Sequence, residues 1–241
     1  MHLGDTYYSG TETEVRERLL AFWPQVPGAI NRALNGNHEM YSGGQAYFDI
    51  ALPAFGQKAS YFALQNDHWI LAALDTAYSE MDLYGEQVEW LLNLLSRAGE
   101  RKLVLFTHHH PFSLFEPQAP KLWAKLDAIL GQRRIHTWYW AHEHACMFYE
   151  PQRSWGLAGR CVGFGGVPYL RKSRVSDTPP NVRWVTIKGR DPIPGTRLLD
   201  GPNSYIKGHE MEYGPHGYVV LEFDVDQLSE TVMLADGTPV T

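Results

Sequence analysis

Four short strings rich in histidine and acid punctuate the chain: HLGDTYYSG at 2–10, NGNHEM at 35–40, FTHHHP at 106–111 and WAHEHA at 140–145. Each lies where an apolar run gives way to polar, turn-forming residues, the pattern of a strand ending in a loop. Together they offer carboxylate, amide and imidazole donors, which suit a hard or borderline metal ion. Donors so far apart in sequence reach one ion only if the strand ends that carry them meet at one sheet edge. That requirement points to an α/β fold with its site at the carboxyl ends of strands.

The segments between the strings fit this frame. Thr11 to Glu14 has the Thr-x-x-Glu pattern of a capping box, and Val15, Leu19, Phe22 and Trp23 follow at helical spacing up to Pro24. Residues 33–35 read as a short strand, and 61–64 and 69–76 as two strands joined by a turn. An amphipathic helix is predicted over 87–96, with Val88, Leu91, Leu92 and Leu95 on one face. The unbroken apolar run 102–107 predicts a strand buried on both faces. Leu122, Leu126, Ile129 and Leu130 mark a further helix closed by Gly131. The next strand is 135–140. Beyond 145 only short strands are expected, at 147–149, 161–164, 218–224 and 231–234, the last two forming a hairpin. Pro179, Pro180, Pro192, Pro194, Gly195, Gly201 and Pro202 break up 171–216, which reads as a long loop or flap. One domain spanning 1–241 is expected.

Composition narrows the function classes. No apolar run approaches the ~18 residues of a membrane helix, so no membrane partner is expected. A net charge of −6 gives no general attraction to nucleic acid. Cys146 and Cys161 are too few for a disulfide framework, and a reducing, cytoplasmic location is expected. They read either as two buried free thiols or as a pair across neighbouring strands.

In their order and spacing, Gly4-Asp5, Gly36-Asn37-His38-Glu39, His109-x-Pro111 and His142-x-His144 resemble the calcineurin-like metallophosphoesterases. GDTYYSG resembles the Gly-Asp-x-x-Tyr block of purple acid phosphatases. NGNHEMYSGG, SYFALQNDHWILAALDT and GRCVGFGGVPY are similar to a bacterial branch of the same superfamily. The resemblance implies a four-layer αββα sandwich and a binuclear metal centre of Mn, Fe, Zn or similar ions. It implies that Asp5 bridges the ions, that Asn37, His109 and His142 complete one position, and that His144 and Tyr8 belong to the other. His38 would be catalytic, as proton donor or charge stabiliser at the phosphoryl group; imidazole changes charge near neutral pH.

Within the histidine run, neighbours on an extended chain point to opposite sides. The His-x-Pro pattern selects His109 as ligand, with His108 the alternative. His108 is expected to turn into the core and His110 toward the site mouth, where it could touch substrate. Ala141 stands where the family pattern has glycine, and Glu143 should face away. The superfamily's first motif, Asp-x-His, would precede Gly4, and the chain opens at Met1. One complete and one depleted metal position are therefore expected, with the N-terminal strand of the sandwich truncated. The sheet edge so exposed could support a homo-oligomer. The activity implied is hydrolysis of phosphoric esters, as a phosphatase or phosphodiesterase, on a small-molecule phosphoester substrate. The alternative is a catalytically weak or inactive scaffold of the same fold. Residues 171–241 carry no feature of the family.

Overall fold

The apolar runs at 69–73, 102–106 and 135–140 become the centre of a large sheet in the computed structural model, which describes residues 1–240 apart from 77, 79, 176–181, 188 and 190–192. Its strands are β1 (Phe62–Gln65), β2 (Trp69–Ala73), β3 (Lys102–Phe106), β4 (Ile135–Trp140), β5 (Cys146–Tyr149), β6 (Ala158–Val162), β7 (Arg183–Ile187) and β8 (Thr196–Asp200). They lie in the order β1-β2-β3-β4-β6-β5-β8-β7. β2, β3, β4 and β6 run parallel to their neighbours in that series, and the flanking pairs are antiparallel. β9 (Gly217–Phe223) and β10 (Leu228–Leu234) form a separate two-stranded ribbon. The fold class is mixed α/β.

The two-residue period of β3 shows how the layers form. Leu103 and Leu105 face helices Gln87–Ser96 and Pro120–Gly131, packing with Leu91, Leu122 and Leu126. Val104 and Phe106 face the other way, with Trp69 and Tyr139, toward Leu221, Phe223 and Leu228 of the ribbon. Full burial on both faces explains why this strand reads as a continuous apolar run. The helices are the crossovers that parallel pairing requires. The Trp69 indole donates to the Asp224 carbonyl at 2.6 Å, fastening the ribbon to the sheet.

Several expectations need correction. Residues 171–216 are not loop throughout: β7 and β8 pair from Arg183↔Asp200 to Ile187↔Thr196 and extend the sheet. Residues 176–181, 188 and 190–192 of that segment lie outside the described part. The strand expected at 161–164 is shifted to Ala158–Val162. The first helix does begin at a Thr11–Glu14 capping box, but it widens to a π-helix over Val15–Leu19 and tightens to 3₁₀ over Leu20–Phe22. Its buried side chains, Val15 and Leu19, pack with Tyr47 and Leu52 in a small core of their own. Phe22 is exposed. Residues 1–4 form no strand; a single parallel bridge joins His2 to Ala33. Cys146 and Cys161 are buried free thiols on adjacent strands, opposite Val162 and Met147 respectively and not opposite each other.

Candidate metal centre

The four strings do come together. Asp5 follows the bridge at His2, and Asn37 and His38 follow its partner at Ala33. The histidine run leaves the end of β3, and His142 and His144 leave the end of β4. Two glycines let the first pair of loops touch. Gly4 has φ +92°, and a Cβ there would stand 2.3 Å from the Gly36 nitrogen. A Cβ on Gly36 would stand 2.2 Å from Asp5 Oδ1.

Glu39 pins these loops from below. Its buried carboxylate accepts the backbone N–H of Asp5 at 2.8 Å, of Thr6 at 3.2 Å and of Gly36 at 2.6 Å. Burial pushes its pKa up against the pull of those donors. The Asp5 carboxylate is thereby held with Oδ1 accepting the His38 backbone N–H at 3.1 Å. Its Oδ2 faces the histidines.

Four donor atoms then converge. His108 Nε2 lies 3.2 Å from Asp5 Oδ2, 3.2 Å from Asn37 Oδ1 and 3.1 Å from His142 Nδ1. Ligands ~2.1 Å from a tetrahedral ion stand about 3.4 Å apart, so the spacing of His108 Nε2 from each of these three atoms suits donors that share an ion. The outer contacts agree. His108 Nδ1 is 2.7 Å from the Leu3 carbonyl and must donate there; Nε2 donates to Asp5 when the ring is charged, and offers a lone pair inward once that proton is lost. Such carbonyl-anchored imidazoles are typical of metal ligands. The Asn37 amide donates to the Tyr41 hydroxyl at 2.6 Å, which fixes its Oδ1 toward the centre. His108, His109 and His142 each present an atom within 4.8 Å of the others.

His108 thus lies where Asp5, Asn37 and His142 approach, and His109, the expected ligand, belongs to the same cluster. The alternation expected of an extended chain fails because the backbone bends through His108 and His109. All three histidines turn inward and are fully or almost fully buried. His109 stays in the cluster, with Nδ1 2.8 Å from the Thr76 hydroxyl. His110 does not reach the mouth; its Nε2 donates to the Pro117 carbonyl at 2.7 Å and its Nδ1 is buried without a partner. Tyr8 also departs from expectation. Its side chain is 75% exposed, and its ring stands edge-on to His38 at 5.6 Å rather than joining the donors. Glu143 faces away as expected, accepting from Trp140 Nε1 at 2.7 Å and from Ser113.

On the other side of Asp5, His144 Nε2 lies 3.1 Å from the same Oδ2. Asp5 and His144 have φ of 58° and 51°, left-handed values uncommon outside glycine. Ala141 is not among the residues with positive φ; the close approach there falls instead on Gly163, where a Cβ would meet the Ala141 carbonyl. Beyond Asp5 and His144 a cavity of about 330 Å³ opens between sheet and ribbon, lined mainly by apolar residues such as Leu3, Leu71, Phe106, Val162 and Leu221. His38 sits on the rim. Its Nδ1 donates to the Tyr8 carbonyl at 2.7 Å, leaving Nε2 toward the site, 4.0 Å from Asp5 Oδ2.

The charges form one coupled set. Burial would raise the Asp5 pKa, but the His108 charge and hydrogen bonds from His108, His144 and His38 hold it far below the usual carboxylate range. Burial would lower the His108 pKa, but the Asp5 charge and hydrogen bond raise it above the ordinary imidazole value. Burial and then His108 push His142 down to about 3, and the same causes lower His109 further. His142 and His109 therefore keep neutral rings with lone pairs to offer. Glu39, Tyr41 and Thr76 were not anticipated. Glu39 and Tyr41 adjoin the second string, but nothing in the sequence distinguished them from turn or rim residues, and Thr76 was visible only as a strand end.

No family model matches the sequence, and no curated protein matches it. Among solved structures, one described as the structure of PhoD aligns over 82% of this chain and 48% of its own, at a TM-score of 0.44 and 14% identity. The chain thus spans about half the length of that protein. At this level of likeness the site is read from its own donor atoms.

Proposed function

We propose that this chain is a metal-dependent phosphoesterase that hydrolyses phosphate esters with a metal-activated water. The observation that carries the reading is the convergence of Asp5 Oδ2, Asn37 Oδ1, His108 Nε2 and His142 Nδ1 beneath a rim imidazole. These four residues would hold one ion, with His109 beside them. Asp5 and His144 would offer a second, depleted position, because the space beyond them is lined mainly by apolar groups. Mn, Fe, Zn or a similar ion suits such mixed O and N ligation. A bound ion supplies Lewis acidity at the phosphoryl oxygens and lowers the pKa of water to near neutrality.

The chain's own residues supply the rest. Asp5, held by Glu39 and the His38 backbone N–H, presents one oxygen to both positions. Asn37 adds a neutral oxygen, so the donor set leaves net positive charge for an anionic substrate. His38 is anchored through Nδ1 and can hold a proton at Nε2 for the leaving oxygen. Metal analysis together with a phosphoester assay tests the reading. Purified protein supplied with Mn, Fe or Zn should bind at least one equivalent and turn over a phosphomonoester or a phosphodiester. Bound metal with no hydrolysis of either ester would favour the scaffold alternative, and no bound metal would remove the centre itself.

A further inference from the structure

The rim around His38 carries a feature that the ligand set does not use. Tyr8, Tyr41 and Tyr78 are 75%, 47% and 42% exposed. They are not scattered. The Tyr8 ring meets the His38 ring edge-on at 5.6 Å, Tyr41 lies 4.7 Å from His38 on a tilted plane, and Tyr78 stands perpendicular to Tyr41 at 5.8 Å. The result is a continuous aromatic wall, centred on the imidazole that faces the metal centre. Large side chains left this open at a site mouth contribute nothing to the core, whereas phenol faces are well suited to gripping a planar ligand. His38 Nε2 faces Asp5 Oδ2 at 4.0 Å; if it serves the leaving oxygen, as proposed above, the body of the leaving group would extend along this wall.

We infer that the tyrosine rim is a leaving-group subsite, and that the phosphoesters this chain takes release an alcohol bearing a planar aromatic ring, a phenol or a nucleoside. This rests on the phosphoesterase reading above. Tyr8 and Tyr78 would supply the faces that hold the ring. Tyr41 has a second duty, since its hydroxyl orients Asn37, and it is left intact in the test.

The test is calorimetric binding of phenylphosphonate and cyclohexylphosphonate to the metal-loaded protein. The two have the same carbon count and the same anionic head, and differ in planarity. One or two aromatic contacts favour the phenyl compound by about tenfold. Tyr8→Ala and Tyr78→Ala should each cut that preference several-fold, leave cyclohexylphosphonate affinity unchanged, and recover it as Tyr8→Phe and Tyr78→Phe. Both positions are exposed, so the fold should tolerate the changes, which thermal unfolding would verify. Equal affinity for the two phosphonates, or a phenyl preference that survives both alanine variants, would overturn the inference and leave the phosphoesterase reading standing. Failure of metal-loaded protein to bind either phosphonate would overturn that reading and the subsite with it.

Discussion

Exchanging His108 and His109 for alanine, one at a time, separates the two ways of reading the histidine run. His108 is fully buried, and its Nε2 stands within 3.2 Å of Asp5, Asn37 and His142. On the proposed reading its removal deletes a ligand, and it leaves buried Asp5 without one of its two closest imidazoles. Loss of a residue that merely orients a ligand costs ~10–100-fold in metal affinity; loss of the ligand itself should cost more, upward of ~100-fold. In the metal-free protein, leaving a buried charge unpaired costs about 3–5 kcal/mol, partly offset here because His144 still touches Asp5. His109 is tied to Thr76 and flanks the convergence point, so His109→Ala should cost about tenfold. A chelator competition measures the affinities, and urea unfolding of the metal-free variants measures the stability term. His108→Gln, which keeps most of the volume, guards against simple misfolding. The reasoning fails if His109→Ala abolishes binding while His108→Ala retains it.

Three further outcomes follow from the same geometry. In metal-free protein the His108 pKa is raised, chiefly by Asp5 acting against burial. Below that raised pKa an incoming ion must displace a proton, so metal affinity should start to fall at a pH above the ordinary imidazole range and keep falling as pH drops through it, with proton release visible by calorimetry in buffers of different ionisation enthalpy. His38→Ala should lower kcat by ~10²–10⁴-fold with metal content unchanged, because its ring is anchored outside the donor set. Tyr41→Phe should weaken metal binding by about tenfold, since Asn37 loses the acceptor that fixes its amide; chelator competition checks this as well.

The parts legible in the sequence share a physical cause. Lys102–Phe106 and Ile135–Trp140 read as continuous apolar runs because they are packed on both faces, and Gln87–Ser96 and Pro120–Gly131 show an apolar period because each buries one face. The four strings were legible because each combines several donor types with a strand end. What stayed hidden depends on local backbone shape or tertiary contact. The bend through His108 and His109 decides which imidazole faces Asp5 and Asn37, and residue type carries no mark of it. β7 and β8 are short and flanked by prolines, and their stability comes from pairing with each other and with β5. Glu39 looks like an ordinary first-turn acid; its three N–H donors come from two loops that meet only in the folded chain.

The left-handed backbone at Asp5 and His144 bears on how this protein would respond to selection. A non-glycine residue held in that region stores about 1–3 kcal/mol of strain. At position 144, glycine or asparagine would relieve part of it while deleting the imidazole that faces Asp5. A library screened for heat tolerance alone should therefore enrich such replacements early and discard the His144 imidazole before any core residue changes. Thermal robustness and the imidazole on Asp5 pull this chain in opposite directions, and the conflict is concentrated in a single turn after β4.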